Sequence, residues 1–252
     1  MPLQIPCNGN FFGGNMKVLI TGGSRGIGAE CVRRFAEEGY TVSFIYNKSD
    51  DRAGALARET GATAVKVDVE DLASLDMAVK AVAMKMGGID VLVNNAGVAL
   101  IKLFSEVSNS ELTHVINVNL TAAAVAAREA SKRMVSEHFG RIINIGSVWG
   151  RVGASCEVAY SASKAGLEGL TKALAKELGP SGVTVNCVEP GVIDTEMNSE
   201  LGEEDLKCLC DETPLCRIGT VADVAEAVLW LASEKAGFVT GQIIGIDGGF
   251  GL

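Results

Sequence analysis

The chain has 252 residues, 48% of them hydrophobic, with 30 glycines against 5 prolines, a formal net charge of −9 and a pI of about 4.9. That is enough apolar material for one large globular domain with a substantial core. No basic patch or run is visible, which speaks against nucleic acid or an anionic membrane as a partner.

Seven scattered cysteines and two histidines, His114 and His138, offer no metal-ligand spacing, so no metal is expected and the thiols read as free in a reducing, cytoplasmic setting. So few histidines also argue against a His-dependent triad. No apolar run is long enough to span a bilayer, and residues 1–15 lack the basic and apolar regions of a secretory signal. Those residues, with Gly- and Asn-rich "CNGNFFGGN", read as an extension or leader before Met16. The domain is expected over residues 16–252.

From Met16 on, apolar β-type runs alternate with helical segments. "KVLIT" (17–21) reads as a strand, and residues 26–38 as a helix stopped by Gly39. A second strand, "TVSFIY" (41–46), precedes a helix over 50–60 that ends at Gly61. A third strand, "AVKV" (64–67), precedes a helix capped by Asp71 and running to about 86. "VLVN" (91–94) is the fourth strand. A helical region over 109–136 follows, with a break expected near 114–119.

"RIINI" (141–145) is the fifth strand, and 157–178 is a helix closed by Gly179-Pro180. "TVNCV" (184–188) is the sixth strand; residues 192–220 are polar with weak helical pattern; 221–231 is helical; "QIIGI" (242–246) is the last strand. Strict β/α alternation predicts a parallel sheet with helices on both faces, a doubly wound α/β fold of one domain. Ligands of such sheets lie outside the carboxyl ends of the strands, so the residues after strands 1, 4, 5 and 6 should carry the chemistry.

Strand 1 runs into "TGGSRGIG" (21–28). Gly22, Gly26 and Gly28, with Ser24, Arg25 and Ile27 between them, form a turn through which backbone can approach a pyrophosphate at the start of the next helix. An NAD site would present an acid to the ribose 2′-hydroxyl after strand 2. Here that strand ends in Tyr46-Asn47-Lys48-Ser49, with Asp50 and Asp51 placed as helix caps. Asn47, Lys48 and Arg25 suit a 2′-phosphate, so NADP(H) is expected over NAD(H). Asp68 and Val69 after strand 3 are placed for an adenine edge, although loop structure accounts for Asp68 equally well. "NNAG" (94–97) brings Asn95, Ala96 and Gly97 to the end of strand 4, where amides can tie loops together or hold a dinucleotide. Ser147 follows strand 5, and Tyr160 and Lys164 share a helix face four residues apart.

From about Met16 to its end, the chain resembles the short-chain dehydrogenase/reductase superfamily. The resemblance rests on Thr21–Gly28, Asn94–Gly97, Asn119 in "NVNL", Ser147, Tyr160-Ser-Ala-Ser-Lys164 and Pro190-Gly191. It implies a seven-stranded Rossmann-type sheet, hydride transfer between nicotinamide and a carbonyl or alcohol, and commonly a homotetramer. It implies a catalytic tetrad of Asn119, Ser147, Tyr160 and Lys164, with Asn119 holding a water that relays protons to Lys164. Pro190, Gly191, Ile193 and Thr195 join the cofactor contacts. A lysine about 5 Å away would stabilise phenolate by roughly 3 kcal/mol and lower the pKa of Tyr160 by about two.

Within the superfamily the chain looks most like the 3-oxoacyl-[acyl-carrier-protein] reductases, which implies an acyl-thioester substrate. Those enzymes often carry arginines for the acidic carrier where this chain has His138 and Ser181, which weakens the expectation of carrier docking. Glu189 stands where a small or apolar residue is usual, and either touches the site or faces solvent. Residues 192–216 occupy the place of a mobile lid. Its Met197, Leu201, Leu206 and Leu209 would line an apolar pocket or form an ordinary amphipathic face.

Overall fold

The computed structural model describes residues 16–198 and 202–252, the side chains of Met197 and Glu203 excepted. The segment 1–15 and Leu201 therefore lie outside the described residues, as does the side chain of Met197.

The seven strands are β1 (Lys17–Thr21), β2 (Thr41–Tyr46), β3 (Thr63–Lys66), β4 (Val91–Asn94), β5 (Gly140–Ile145), β6 (Val183–Pro190) and β7 (Ile243–Ile246). They form one sheet in the order β3-β2-β1-β4-β5-β6-β7, parallel at every pairing. Helices cover both faces, which is why the strands read as near-continuous apolar runs. Alternate residues serve opposite cores. Val18 and Ile20 of β1 join Phe35, Phe44, Val93 and Val228 on one face. Leu19 joins Ile45, Leu92, Ala126 and Ile142 on the other. The strand order reverses between β2 and β4 on either side of β1, and this switch point opens the crevice that such sheets use for ligands.

The helices are α1 (Gly26–Glu37), α2 (Asp50–Thr60), α3 (Leu72–Met86), α4 (Asn109–Ile116), α5 (Ala122–Ser136), α6 (Val148–Val152), α7 (Val158–Leu178), α8 (Glu203–Glu212) and α9 (Val221–Ala232). Local chemistry sets several of their ends. Asp71 accepts from the Ser74 amide at 3.1 Å to start α3. Ser108 and Glu111 form a reciprocal capping box on α4, as Thr220 and Asp223 do on α9. Gly61 and Gly87 close α2 and α3 in the left-handed conformation.

The structure departs from the sequence reading in four places. The expected break at 114–119 is a π-helical turn, Asn117–Thr121, that joins α4 to α5 without interrupting the chain's course. α6 is too short to show a period in the sequence. α8 forms inside the polar stretch 192–220. Strand β6 runs two residues further than the apolar pattern, carrying Glu189 and Pro190 into the sheet opposite Gly245 and Ile246.

Candidate active site

Parallel registry lines up Thr21, Asn94 and Asn144 across β1, β4 and β5. Asn94 Nδ2 donates to Asn144 Oδ1 at 2.9 Å, and Asn144 Nδ2 donates to Thr171 Oγ1 at 2.9 Å, so a buried polar rung runs from the strand ends to α7. The Thr21 hydroxyl accepts from the amides of Asn95 and Ala96, both at 3.1 Å. Asn95 Nδ2 donates to the carbonyls of Thr21 and Gly22 at 3.1 and 2.9 Å. The amides of Asn94 and Asn95 thus tie neighbouring loops together.

Beyond these strand ends lies a cleft of about 470 Å³. Gly22, Ser24, Arg25, Gly26 and Ile27 line it from the first turn, Asn47 and Lys48 from the end of β2, and Asp68 and Val69 from the end of β3. Asn95, Ala96 and Gly97 line it from β4, and Pro190, Gly191, Ile193 and Thr195 from the end of β6. Gly28 does not reach it. A Cβ there would collide with the Gly22 carbonyl oxygen and lie 2.5 Å from Asn95 Nδ2, so Gly28 lets α1 pack against the turn. Asp68 Oδ1 accepts from the Glu70 amide at 3.0 Å, so it shapes its loop while bordering the cleft.

These residues fit a dinucleotide. Gly22 sits at φ +69°, and a Cβ there would lie 2.8 Å from the Ala96 Cα, so the turn can be this tight only with glycine. α1 begins with no side-chain cap and no acid in its first turn, leaving its free amides and dipole for an anionic group. Gly26, at φ +53°, has only the Thr195 methyl near the position of its missing Cβ, at 3.6 Å.

Ser147, Tyr160 and Lys164 line the same cleft. Ser147 caps α6, accepting from the Trp149 amide at 3.2 Å. Gly146 before it must be small, since a Cβ would lie 2.7 Å from Cys187 Sγ. Tyr160 and Lys164 stand one turn apart on α7, with Nζ 5.5 Å from the ring centroid and donating to the Ile145 carbonyl at 2.7 Å.

The expectation that Lys164 lowers the Tyr160 pKa is overturned. Burial pushes the phenol up to about 12; the Ser147 hydroxyl pulls it down and Glu157 adds to the rise. Burial also brings Lys164 down to about 8. Desolvation is the largest cause at both groups, because each is taken out of water. The phenol is held protonated.

Asn119 is not in the cleft wall. Its Oδ1 accepts from the Val98 amide at 2.8 Å, and its Nδ2 donates to the Val98 carbonyl and to Ser163 Oγ, both at 3.0 Å. Ser163 in turn donates to the Tyr160 carbonyl at 2.6 Å. The side-chain amide therefore acts as a clamp between the loop after β4 and the start of α7.

Glu189 neither touches the cleft nor faces solvent. It is fully buried, and neither carboxyl oxygen meets a donor among the described residues. Arg151 Nε lies 4.0 Å away, its Nη2 already donating to Asp247 at 2.7 Å. Burial first, then the neighbouring Glu168, raise its pKa to about 7. In the lid segment, Leu206 and Leu209 are half-buried on α8 and border no part of the cleft, so the amphipathic face describes them. His138 and Ser181 precede the amino ends of β5 and β6, the end of the sheet away from the cleft, where Gly182 packs against the His138 carbonyl.

Sequence reasoning did not single out Tyr46, Glu70, His114, Glu196 or Asn198, which also line the cleft. His114 Nδ1 lies 2.8 Å from Glu70 Oε2, and Glu196 pairs with arginines from α2 and the first turn. Tyr46, Glu70 and Glu196 adjoin Asn47, Val69 and Thr195 in sequence, whereas the Glu70–His114 and Glu196–Arg52 pairs join elements far apart in the chain, so no local motif marks them. Among the described residues no helix is long and apolar enough to cross a membrane.

Comparison with known proteins agrees with this geometry. The family described as Enoyl-(Acyl carrier protein) reductase matches residues 22–251. The 3-oxoacyl-[acyl-carrier-protein] reductase FabG of Aquifex aeolicus is 40% identical over 237 residues, covering 92% of this chain and 95% of that protein. The reductase MabA of Mycobacterium avium is 40% identical over 235 residues, covering 93% and 89%. Among solved structures, a short-chain dehydrogenase/reductase from Serratia marcescens superposes with a TM-score of 0.88 at 40% identity over 94% of this chain and 98% of the other. A putative short-chain alcohol dehydrogenase from Sinorhizobium meliloti gives 0.88 at 33% identity, covering 93% and 96%. With its parallel seven-stranded sheet, dinucleotide turn and clustered Ser147, Tyr160 and Lys164, the chain belongs to the short-chain dehydrogenase/reductase superfamily of nicotinamide-dependent oxidoreductases.

Proposed function

We propose that this enzyme reduces a 3-oxoacyl thioester to the 3-hydroxyacyl product with NADPH, working as a homotetramer in the cytoplasm. The observation that carries the reading is a protonated, buried Tyr160 beside the Ser147 hydroxyl in a cleft with a dinucleotide turn. The relatives named 3-oxoacyl-[acyl-carrier-protein] reductase supply the substrate class.

Bound reduced nicotinamide supplies the hydride. Ser147 donates a hydrogen bond to the substrate oxygen and gathers the charge that develops there. Tyr160 gives its phenolic proton to that oxygen, which completes the alcohol and leaves a phenolate. Lys164, one turn away, stabilises that phenolate when its ammonium turns from the Ile145 carbonyl. Asn119 and Ser163 keep the start of α7 against the loop after β4, so the acid does not drift. Arg25 and Lys48, with no acid closing β2, support NADPH over NADH.

The deciding assay follows loss of reduced-nicotinamide absorbance with an acetoacetyl thioester, against a crotonyl thioester as the enoyl alternative. Turnover of the first with NADPH is expected. Oxidation of neither cofactor by acetoacetyl thioester would defeat the substrate class, and faster turnover with NADH would defeat the cofactor choice. Light scattering on a sizing column checks the tetramer.

A further inference from the structure

The end of β2 is short of an acid in sequence, and the structure disposes of the nearest one. Asp50, the first residue of α2, accepts from the Tyr46 hydroxyl at 3.0 Å and pairs with Lys66 of β3 at 2.5 Å. It is spoken for by the sheet edge. A carboxylate nevertheless reaches this end of the cleft from the loop after β6. Glu196 lines the cleft with Arg25 and Lys48, lies 3.8 Å from Arg25 Nη1, and is ion-paired and hydrogen-bonded to Arg52 in the first turn of α2.

We propose that Glu196 is a specificity-determining residue for the cofactor, an internal anion that competes with a ribose 2′-phosphate for the Arg25 guanidinium. The inference rests on the reading of this cleft as a nicotinamide dinucleotide site. A ligand with a free 2′-hydroxyl brings no charge to that corner and leaves the ion pairs standing. A 2′-phosphate brings about −2 at neutral pH, and must both share Arg25 with Glu196 and sit near a like charge. Glu196 therefore lessens the advantage that Arg25 and Lys48 give the phosphorylated ligand, and it does so from 144 positions along the chain from Arg52, the α2 residue it pairs with. Because Glu196 and Asn198 belong to the segment that also brings Ile193 and Thr195 to the cleft, phosphate binding at Arg25 loosens that segment's hold on the turn after β1.

The test uses the full chain and two non-redox ligands, adenosine 2′,5′-bisphosphate and 5′-AMP, titrated calorimetrically at low and moderate salt. Glu196→Gln should tighten the bisphosphate roughly fivefold or more at low salt and less at higher salt, with 5′-AMP unchanged within about twofold. The gain should vanish in Arg25→Met/Glu196→Gln, since it is expressed through Arg25. Glu196 is half exposed, so melting temperature confirms that the variants fold. An unchanged, weakened or undetectable bisphosphate affinity, or equal tightening of both ligands, would overturn the proposal. A wild-type chain that takes only 5′-AMP would instead overturn the NADPH preference, and a bisphosphate gain in Glu196→Gln would then still support the role of Glu196.

Discussion

Glu189→Gln should stabilise the protein at pH 8 and do much less at pH 5. A carboxyl that ionises near 7 in the folded chain and near its ordinary 4.5 in the unfolded one holds its proton more tightly when folded. Between those values the folded state keeps a proton that the unfolded state has released, so stability falls as pH rises through the window and levels off above it. The gap of 2.5, from 7 minus 4.5, caps the loss at about 3–4 kcal/mol at about 1.4 kcal/mol per pKa unit. The groups acting on Glu189 are Glu168 and Lys172 of α7 and Arg151 of α6, with Cys187 near it on β6 and Asp247 held by Arg151. Arg151 and Lys172 pull the Glu189 pKa down, and both reach solvent and are free to turn toward the ionised carboxylate, which brings the expected figure to about 1–2 kcal/mol. The assay is denaturant unfolding of wild type and Glu189→Gln at fixed protein concentration from pH 5 to 8, so that the other titrating groups cancel in the difference. A difference that does not change with pH, or that shrinks as pH rises, refutes the account.

Tyr160→Phe should abolish turnover while leaving the calorimetric affinity for the reduced cofactor within about twofold; surviving activity would mean another group delivers the proton. Helix propensity alone makes any mid-helix glycine-to-alanine change favourable by about 1 kcal/mol. Gly54→Ala in α2, where the new methyl meets only Arg58 Nη1 at 3.4 Å, should follow that rule in urea unfolding. Gly28→Ala should reverse it, costing about 2 kcal/mol and weakening cofactor binding, because the methyl has backbone oxygen and the Asn95 amide in its way. Equal effects at the two glycines would deny the packing argument. Ser163→Ala should lower kcat several-fold with KM little changed, at a stability cost of about 1 kcal/mol. Ser163→Thr, which keeps the hydroxyl, should recover part of kcat, and failure of that rescue would reduce Ser163 to packing.

Most of the fold was legible because the five inner strands are buried on both faces and so read as unbroken apolar runs between helical segments. The cofactor turn and the Ser147, Tyr160 and Lys164 set were legible because they follow strand ends or share one helix face. What escaped has a common cause. Glu196, Glu70 and His114 matter through partners on separate elements, and only tertiary packing brings those pairs together. The extension of β6 was hidden because Glu189 breaks the apolar pattern while still filling a buried sheet position. The direction of the Tyr160 shift was misjudged because a spacing of four residues shows that a cation is near and says nothing of how dry the site is.

The rung formed by Asn94, Asn144 and Thr171 has a consequence for how the chain finds its alignment. A parallel strand pair of mostly Val, Leu and Ile would tolerate sliding by two residues, since the same face would still be buried. Such a slide would leave these amides dry and unmatched, a loss of several hydrogen bonds in the interior. The three side chains act as a keyed joint: they accept a single seating of β4 on β5, and that seating delivers the Asn95 loop to the dinucleotide turn.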